Sequence, residues 1–446
     1  MNSVALVGKN KENTRPGSES RVRAWSLTGV LVMLYVINYA DKAVLGIIAQ
    51  PLAKELGLNA SQIGLIGSLF FLMFTIGGFF AGLLNRWMSL RWALLLLALV
   101  WSVAVLPLVL VASFAVLIGS RMLLGLAEGP SSALIHTGVY SWHPVAKRGF
   151  PGALIASAAS IAKIAIAPAL ALITVTLGWR AAMVALSIAG VLWCVLWLTT
   201  WSEGPYLTNR KRDQTVSEGA NEAFETEPDV PWLRIFRTRT FIAGALLVMS
   251  VYALVAMVLT WLPSYFEVGL GYTRLQAGSM FAFPSISALV LMLGTTAVCD
   301  RLLSRGSSVR LVRVIVPAVG VLICGVALIS VPYIGSPAAA VLIISVGYGF
   351  GGPALPLLNA AISELCPPRQ TAGTLGVFLA LMAVGGLIAP YATGLLVDAA
   401  STPAEGYATA FQALGLVAAA SAVLALFWAD PERDKRLVRG EVAAAA

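Results

Sequence analysis

Twelve apolar runs of about 20 residues, separated by short polar stretches, constrain this chain more than any other feature it carries. Each is long enough to cross about 30 Å of hydrocarbon as a helix rising about 1.5 Å per residue. They lie near 25–49, 61–84, 92–111, 114–140, 151–175 and 179–201, and then near 241–262, 276–298, 311–331, 337–360, 371–396 and 407–428. Apolar residues make up 59% of the chain and charged residues 11%, against about 25% charged in soluble domains, so no soluble fold could hide this surface. Disordered chains, disulfide scaffolds and nucleic-acid modules all need a polar or strongly basic sequence and are excluded. Barrel strands would alternate in polarity over about 10 residues. The fold class expected is therefore all-α integral membrane. The first run is too long for a signal peptide and lacks a small-residue cleavage site behind it.

Charge orients the spans. Of the 30 Lys and Arg, 24 fall in the leader, the even-to-odd loops with the adjoining end of span 9, and the tail, whereas Lys54, Arg180 and Arg274 fall on the other side. Positive residues stay cytoplasmic, so both termini are expected in the cytoplasm of a cell whose plasma (inner) membrane the chain crosses. A leader at 1–24, a charged linker at 202–240 and a tail at 429–446 leave two six-helix bundles, 25–201 and 241–428. Repeated bundles of this kind place a substrate between them in many transporters. The halves also echo each other. Asn85-Arg86 with Arg91 stands in loop 2/3, and Asp300-Arg301 with Arg305 in loop 8/9, which makes Arg86, Asp300, Arg301 and Arg305 candidates for a cytoplasmic gate. They read alternatively as ordinary loop charges. Cys194 and Cys324 fall inside spans, Cys299 and Cys366 near loops, and no CxxC pair occurs, so neither disulfides nor Cys-based metal sites are expected.

An ionisable group at the centre of a span costs at least about 2.5 to 3.5 kcal/mol, so each one is a functional candidate. Asp41 and Lys42 lie in span 1, Arg121 and Glu128 in span 4, and Lys163 in span 5. All belong to the first half, and the span interiors of the second half carry essentially none. Asp41 and Arg121 lie at similar depth, about 10 to 12 Å from the outer ends of their spans, so the two could pair. Arg121 and Glu128 are seven residues apart and share a helix face. With Lys163 near the depth of Glu128, this stacks cation, carboxylate and cation around one cavity. The five sum to a formal +1, which suits a monovalent anion, or a divalent one with a proton. Buried ion pairs that merely lock helices are the competing reading, most of all for Lys163. His136 reads as a structural histidine and His143 as a loop residue.

Four segments together resemble the anion:cation symporter family of the major facilitator superfamily: Tyr39-Ala40-Asp41-Lys42, the run Arg121 to Pro130 with Glu128 inside it, Ser141-Trp142-His143-Pro144 with Lys147-Arg148, and Thr260-Trp261-Leu262-Pro263-Ser264-Tyr265. The likeness covers roughly 25–430. It implies a monomeric, alternating-access transporter that couples organic anions to protons. Asp41 and Glu128 would protonate, and Tyr39, Lys42, Phe74, Arg121, Lys163 and Asn359 would line the substrate site. Lys42 stands where the family usually has Arg, trading a fork for a point charge. Phe74, Ala159, Asn359 and Leu379 replace Tyr, Gln, Trp and Asn, which removes partners for substrate hydroxyls and favours a compact, hydroxyl-poor carboxylate. The loop 2/3 motif is degenerate, with Ala81, Asn85 and Met88 where Gly, Asp and Gly are expected.

The function expected is proton-coupled uptake of a small organic carboxylate. No cofactor beyond the coupling proton, no metal and no nucleic-acid partner is expected, and membrane lipid surrounds the chain. The alternatives are a proton-coupled exporter of a drug or metabolite, and a receptor built on the same fold. Span 5 reads Ala165-Ile166-Ala167-Pro168-Ala169-Leu170 where drug antiporters carry a Gly-Pro-x-x-Gly-Gly type motif, which weighs against the exporter. No nucleophile and base pair or phosphate-binding glycine loop points to an enzyme.

Overall fold

The computed structural model describes residues 18–143, 149–202, 204–205, 230–367 and 370–439. Most of the linker, part of the leader and the Lys147-Arg148 pair lie outside these residues, as does the side chain of Arg86. The membrane helices are α1 (Ser18–Leu56), α2 (Ala60–Phe79), α3 (Leu90–Leu110), α4 (Phe114–Glu128 and Ser131–Tyr140), α5 (Phe150–Leu177) and α6 (Trp179–Thr200). The second bundle contains α7 (Arg239–Gly269), α8 (Arg274–Ser304), α9 (Leu311–Tyr333), α10 (Pro337–Leu365), α11 (Thr371–Ala399) and α12 (Pro403–Trp428). A short linker helix, Trp232–Phe236, and a tail helix, Pro431–Arg439, lie on the face that carries the termini.

Among the described residues 11 helices are long and apolar enough to cross a membrane, one fewer than the apolar runs. The missing one is α4. Gly129-Pro130 divides it into pieces of 15 and 10 residues, because proline lacks the N–H that would continue the ladder and its ring crowds the preceding turn. Gly352-Pro353 interrupts α10 at the corresponding place in the second bundle.

Each bundle has its own ties. Trp193 and Trp197 of α6 stack at 5.1 Å and donate their indole N–H groups to the carbonyls of Val30 at 2.7 Å and Arg91 at 2.9 Å, pinning α6 to α1 and α3. In the second bundle Phe241 packs on Phe378 at 5.7 Å, and Ser250 meets Ser421 at 3.0 Å. His143 lies outside the helices, as its reading as a loop residue has it, but its imidazole is buried. Its Nε2 hydrogen-bonds the Thr28 hydroxyl at 2.9 Å and its ring lies 4.9 Å from Trp25, so it ties the end of α4 to α1.

The bundles meet on the face away from the termini. There Asp398 at the end of α11 accepts from the amides of Ala60 and Ser61 at 2.8 and 2.7 Å, capping the start of α2 across the interface. Deeper in, the Tyr391 amide donates to Ser68 at 3.1 Å. At Gly64 a Cβ would lie 2.2 Å from the Pro390 carbonyl, so only glycine permits this approach. On the terminal face, Phe79 and Phe80 at the end of α2 are exposed, and Gly376 in α11 has open space beside it. The described hydrogen bonds between the bundles thus lie on the side away from the termini and at mid-depth, and none is described on the terminal side.

Candidate functional site

Tyr35, Asn38, Tyr39 and Lys42 recur at helical spacing and share one face of α1. The Lys42 ammonium lies 4.5 Å from the centroids of both the Tyr39 and Phe74 rings, donates to Asn38 Oδ1 at 2.5 Å, and pairs with Glu128 Oε2 at 3.5 Å. The aromatic faces favour a cation there by their quadrupoles, which holds Lys42 away from bulk water. Glu128 sits at the broken end of the first piece of α4. A Cβ at Gly129 would lie 2.2 Å from the Phe74 carbonyl, so the glycine lets α4 close on α2 at this level. Ser131 donates to the Glu128 carbonyl at 2.5 Å and accepts from Asn38 Nδ2 at 3.4 Å. The break in α4 is therefore stitched to α1 by the same asparagine that receives Lys42.

This cluster is buried: Glu128 is 0% exposed, Arg121 2%, Asp41 3% and Lys42 8%. It is also incompletely satisfied. Neither Glu128 carboxylate oxygen accepts a hydrogen bond, and Arg121 Nη2 has no partner among the described residues. The pairing of Asp41 with Arg121 that their depth allows is not among the described ion pairs. Arg121 Nη1 instead donates to the Asp41 backbone carbonyl at 3.0 Å, because the carbonyls of α1 face α4 at that level. The ion pair within the cluster is Lys42–Glu128.

A cavity of about 370 Å³ lies between the bundles, beside this cluster. From the first bundle it is lined by Tyr35, Tyr39, His136, Ala159, Ser160 and Lys163, and from the second by Tyr252, Ser285, Tyr348 and a series of Val, Leu and Met side chains. Of the six residues assigned to substrate from sequence, Tyr39 and Lys163 form its wall. Lys42, Phe74, Arg121 and Asn359 do not, and neither does Leu379. The Tyr39 ring stands between the cavity and the Lys42 ammonium. Asn359 is half-buried, its Oδ1 enclosed and without a hydrogen-bond partner among the described residues, and it does not line this space.

Lys163 does not join Glu128. Its ammonium donates to the Tyr348 hydroxyl at 3.4 Å, across the bundle interface. The reason is local. Lys163 sits in a π-helical turn, Ala162–Ile166, followed by Pro168, which cannot donate to the Ile164 carbonyl, and the widened turn rotates the side chain toward the second bundle. Such turns recur at functional positions. His136 also borders the cavity, with Nδ1 2.8 Å from the Ser132 carbonyl.

Tyr35, Tyr252, Tyr348 and Ser285 were missed in the sequence. A signal was present, since tyrosines belong at the ends of membrane helices and Tyr252 and Tyr348 lie well inside theirs. At the terminal face Asp300, Arg301 and Arg305 are exposed and join none of the described ion pairs, while the side chain of Arg86 lies outside the described residues.

The profile of the Major Facilitator Superfamily matches residues 31–358 and, overlapping, 312–445. The chain is 26% identical to a probable sulfoacetate transporter of Cupriavidus necator, over 90% of this chain and 93% of that one. It is 28% identical to a probable galactarate/D-glucarate transporter of Bacillus subtilis, over 86% and 88%. Among solved structures, that of a D-xylose-proton symporter superimposes with a TM-score of 0.72 at 16% identity, covering 92% of this chain and 99% of the other. These relatives and structural neighbours are transporters.

Proposed function

This chain belongs to the major facilitator superfamily of transporters, and we propose that it carries a small organic anion inward together with protons by alternating access. One observation carries the reading. Lys163 is 5% exposed, faces the cavity, and meets no Asp or Glu among the residues that line it. A buried charge without a counter-charge is costly, and an anion in the cavity supplies that counter-charge. Tyr348 is within reach of the same ammonium, so an anion held by both residues joins the two bundles.

The relatives named for sulfoacetate and for galactarate or glucarate support an organic acid as cargo. Three of the four replacements first read as removing hydroxyl partners, Phe74, Asn359 and Leu379, do not line the cavity. Ala159 does. The argument for a hydroxyl-poor substrate thus rests on Ala159 and on the apolar side chains of α7 and α8 that cover the wall.

The coupling proton is assigned to Glu128 and Asp41. An anion in the cavity competes through Tyr39 with Glu128 for the attraction of Lys42, and a proton on Glu128 neutralises the carboxylate so released. Orientation follows from the charge bias of the loops, with the terminal face toward the cytoplasm of a plasma membrane.

Proteoliposomes supplied with a panel of organic acids test this. One acid is expected to accumulate above equilibrium when an inward proton gradient is imposed, and only to equilibrate without one. Accumulation that ignores the gradient, or a protein that moves hydrophobic cations and no acid, rejects the proposal.

A further inference from the structure

We infer that the terminal face of the second bundle holds one anionic phospholipid, its phosphate between the linker and tail helices and an acyl chain along α7 and α11. A polar cavity of about 630 Å³ opens between the linker helix, the start of α7 and the tail helix, and Arg234, Arg237, Arg239 and Arg433 surround it. Among the described residues its one carboxylate, Asp434, is already engaged. It accepts from the Thr240 amide at 2.8 Å and the Thr240 hydroxyl at 2.7 Å, and it pairs with Arg433 at 2.7 Å. Arg239 lies 5.9 Å from the Trp428 ring, while the side chains of Arg234 and Arg237 are exposed and form none of the described hydrogen bonds or ion pairs. Four cations against one committed carboxylate leave an anion site.

The same turn of chain borders a second space. Phe236 and Phe241 close the near end of an apolar groove of about 300 Å³ that continues past Leu246 and Met249 to Val377 and Leu381. Met249 lies ten residues into α7 from Arg239, about 15 Å along the helix. That is half of the about 30 Å hydrocarbon thickness, the depth of a single leaflet. A groove one leaflet deep with guanidinium groups at its polar end fits a phospholipid with a negative headgroup, and Trp232 beside it suits the headgroup level. A soluble phosphate would use only the upper cavity and a neutral lipid only the groove.

Native mass spectrometry of the full chain, released from nanodiscs of mixed phosphatidylglycerol and phosphatidylcholine, separates these cases. Retention of one phosphatidylglycerol is expected, reduced about tenfold or more in the double variant Arg234→Gln, Arg237→Gln. Both side chains are exposed and make no described bonds, so folding is preserved. Leu381→Trp, which fills the groove, should also displace the lipid with all four arginines in place. Equal retention of phosphatidylcholine, displacement by millimolar inorganic phosphate, or indifference to both variants overturns the inference.

Discussion

The two bundles break one helix in the same way and use the break differently. In α4, Gly129-Pro130 is followed by Ser131, whose hydroxyl ties the Glu128 carbonyl to Asn38. In α10, Gly352-Pro353 is followed by Ala354, which offers no such bond. The difference extends through the interior. The first bundle buries Asp41, Lys42, Arg121, Glu128 and Lys163, whereas the second brings to the cavity the hydroxyls of Tyr252, Tyr348 and Ser285 among apolar side chains. One repeat has become electrostatic and the other a neutral wall. A chain divided in this way confines charge changes to one moving body and leaves the other to register whether the cavity is filled.

Three substitutions probe that division. Glu128→Gln has the largest expected effect: it removes the protonatable group while keeping its shape, so proton-driven accumulation should be abolished and substrate exchange retained. Continued concentration of substrate against a gradient by this variant would move the coupling out of the first bundle. Lys163→Gln comes next. Losing a charge-assisted hydrogen bond of about 1.5 to 3 kcal/mol should raise KM about 10- to 100-fold, with coupling intact in what transport remains. An unchanged KM would show that the anion does not sit against α5. Tyr348→Phe, on the neutral side, should cost about 0.5 to 1.5 kcal/mol, or about 2- to 10-fold in KM, without altering the response to a proton gradient. If it uncouples transport, the two bundles share the proton chemistry and the contrast between them fails.

The positions of the buried charges were legible in the sequence because ionisable groups are rare in apolar runs, and their spacing on α1 and α4 put them at one level. Their partners were not. Depth along a helix says nothing of whether a side chain or a backbone carbonyl faces the neighbour, and so Arg121 meets the Asp41 carbonyl and Lys42 takes Glu128. Tyr348 escaped notice because a single phenol in a span carries no charge to mark it.

The sequence by itself determined the membrane location, the helical class, the number of apolar runs and the confinement of charge to the first half, since each follows from hydrophobic length and the cost of burying charge. It also carried the breaks in α4 and α10, as Gly-Pro pairs. The tertiary structure alone decided which residues share a cavity. Packing places Tyr39 between that space and Lys42, and a π-turn aims Lys163 at the opposite bundle. Both depend on the rotation of helices about their own axes, which contacts between distant parts of the chain set and which no local pattern of residues encodes.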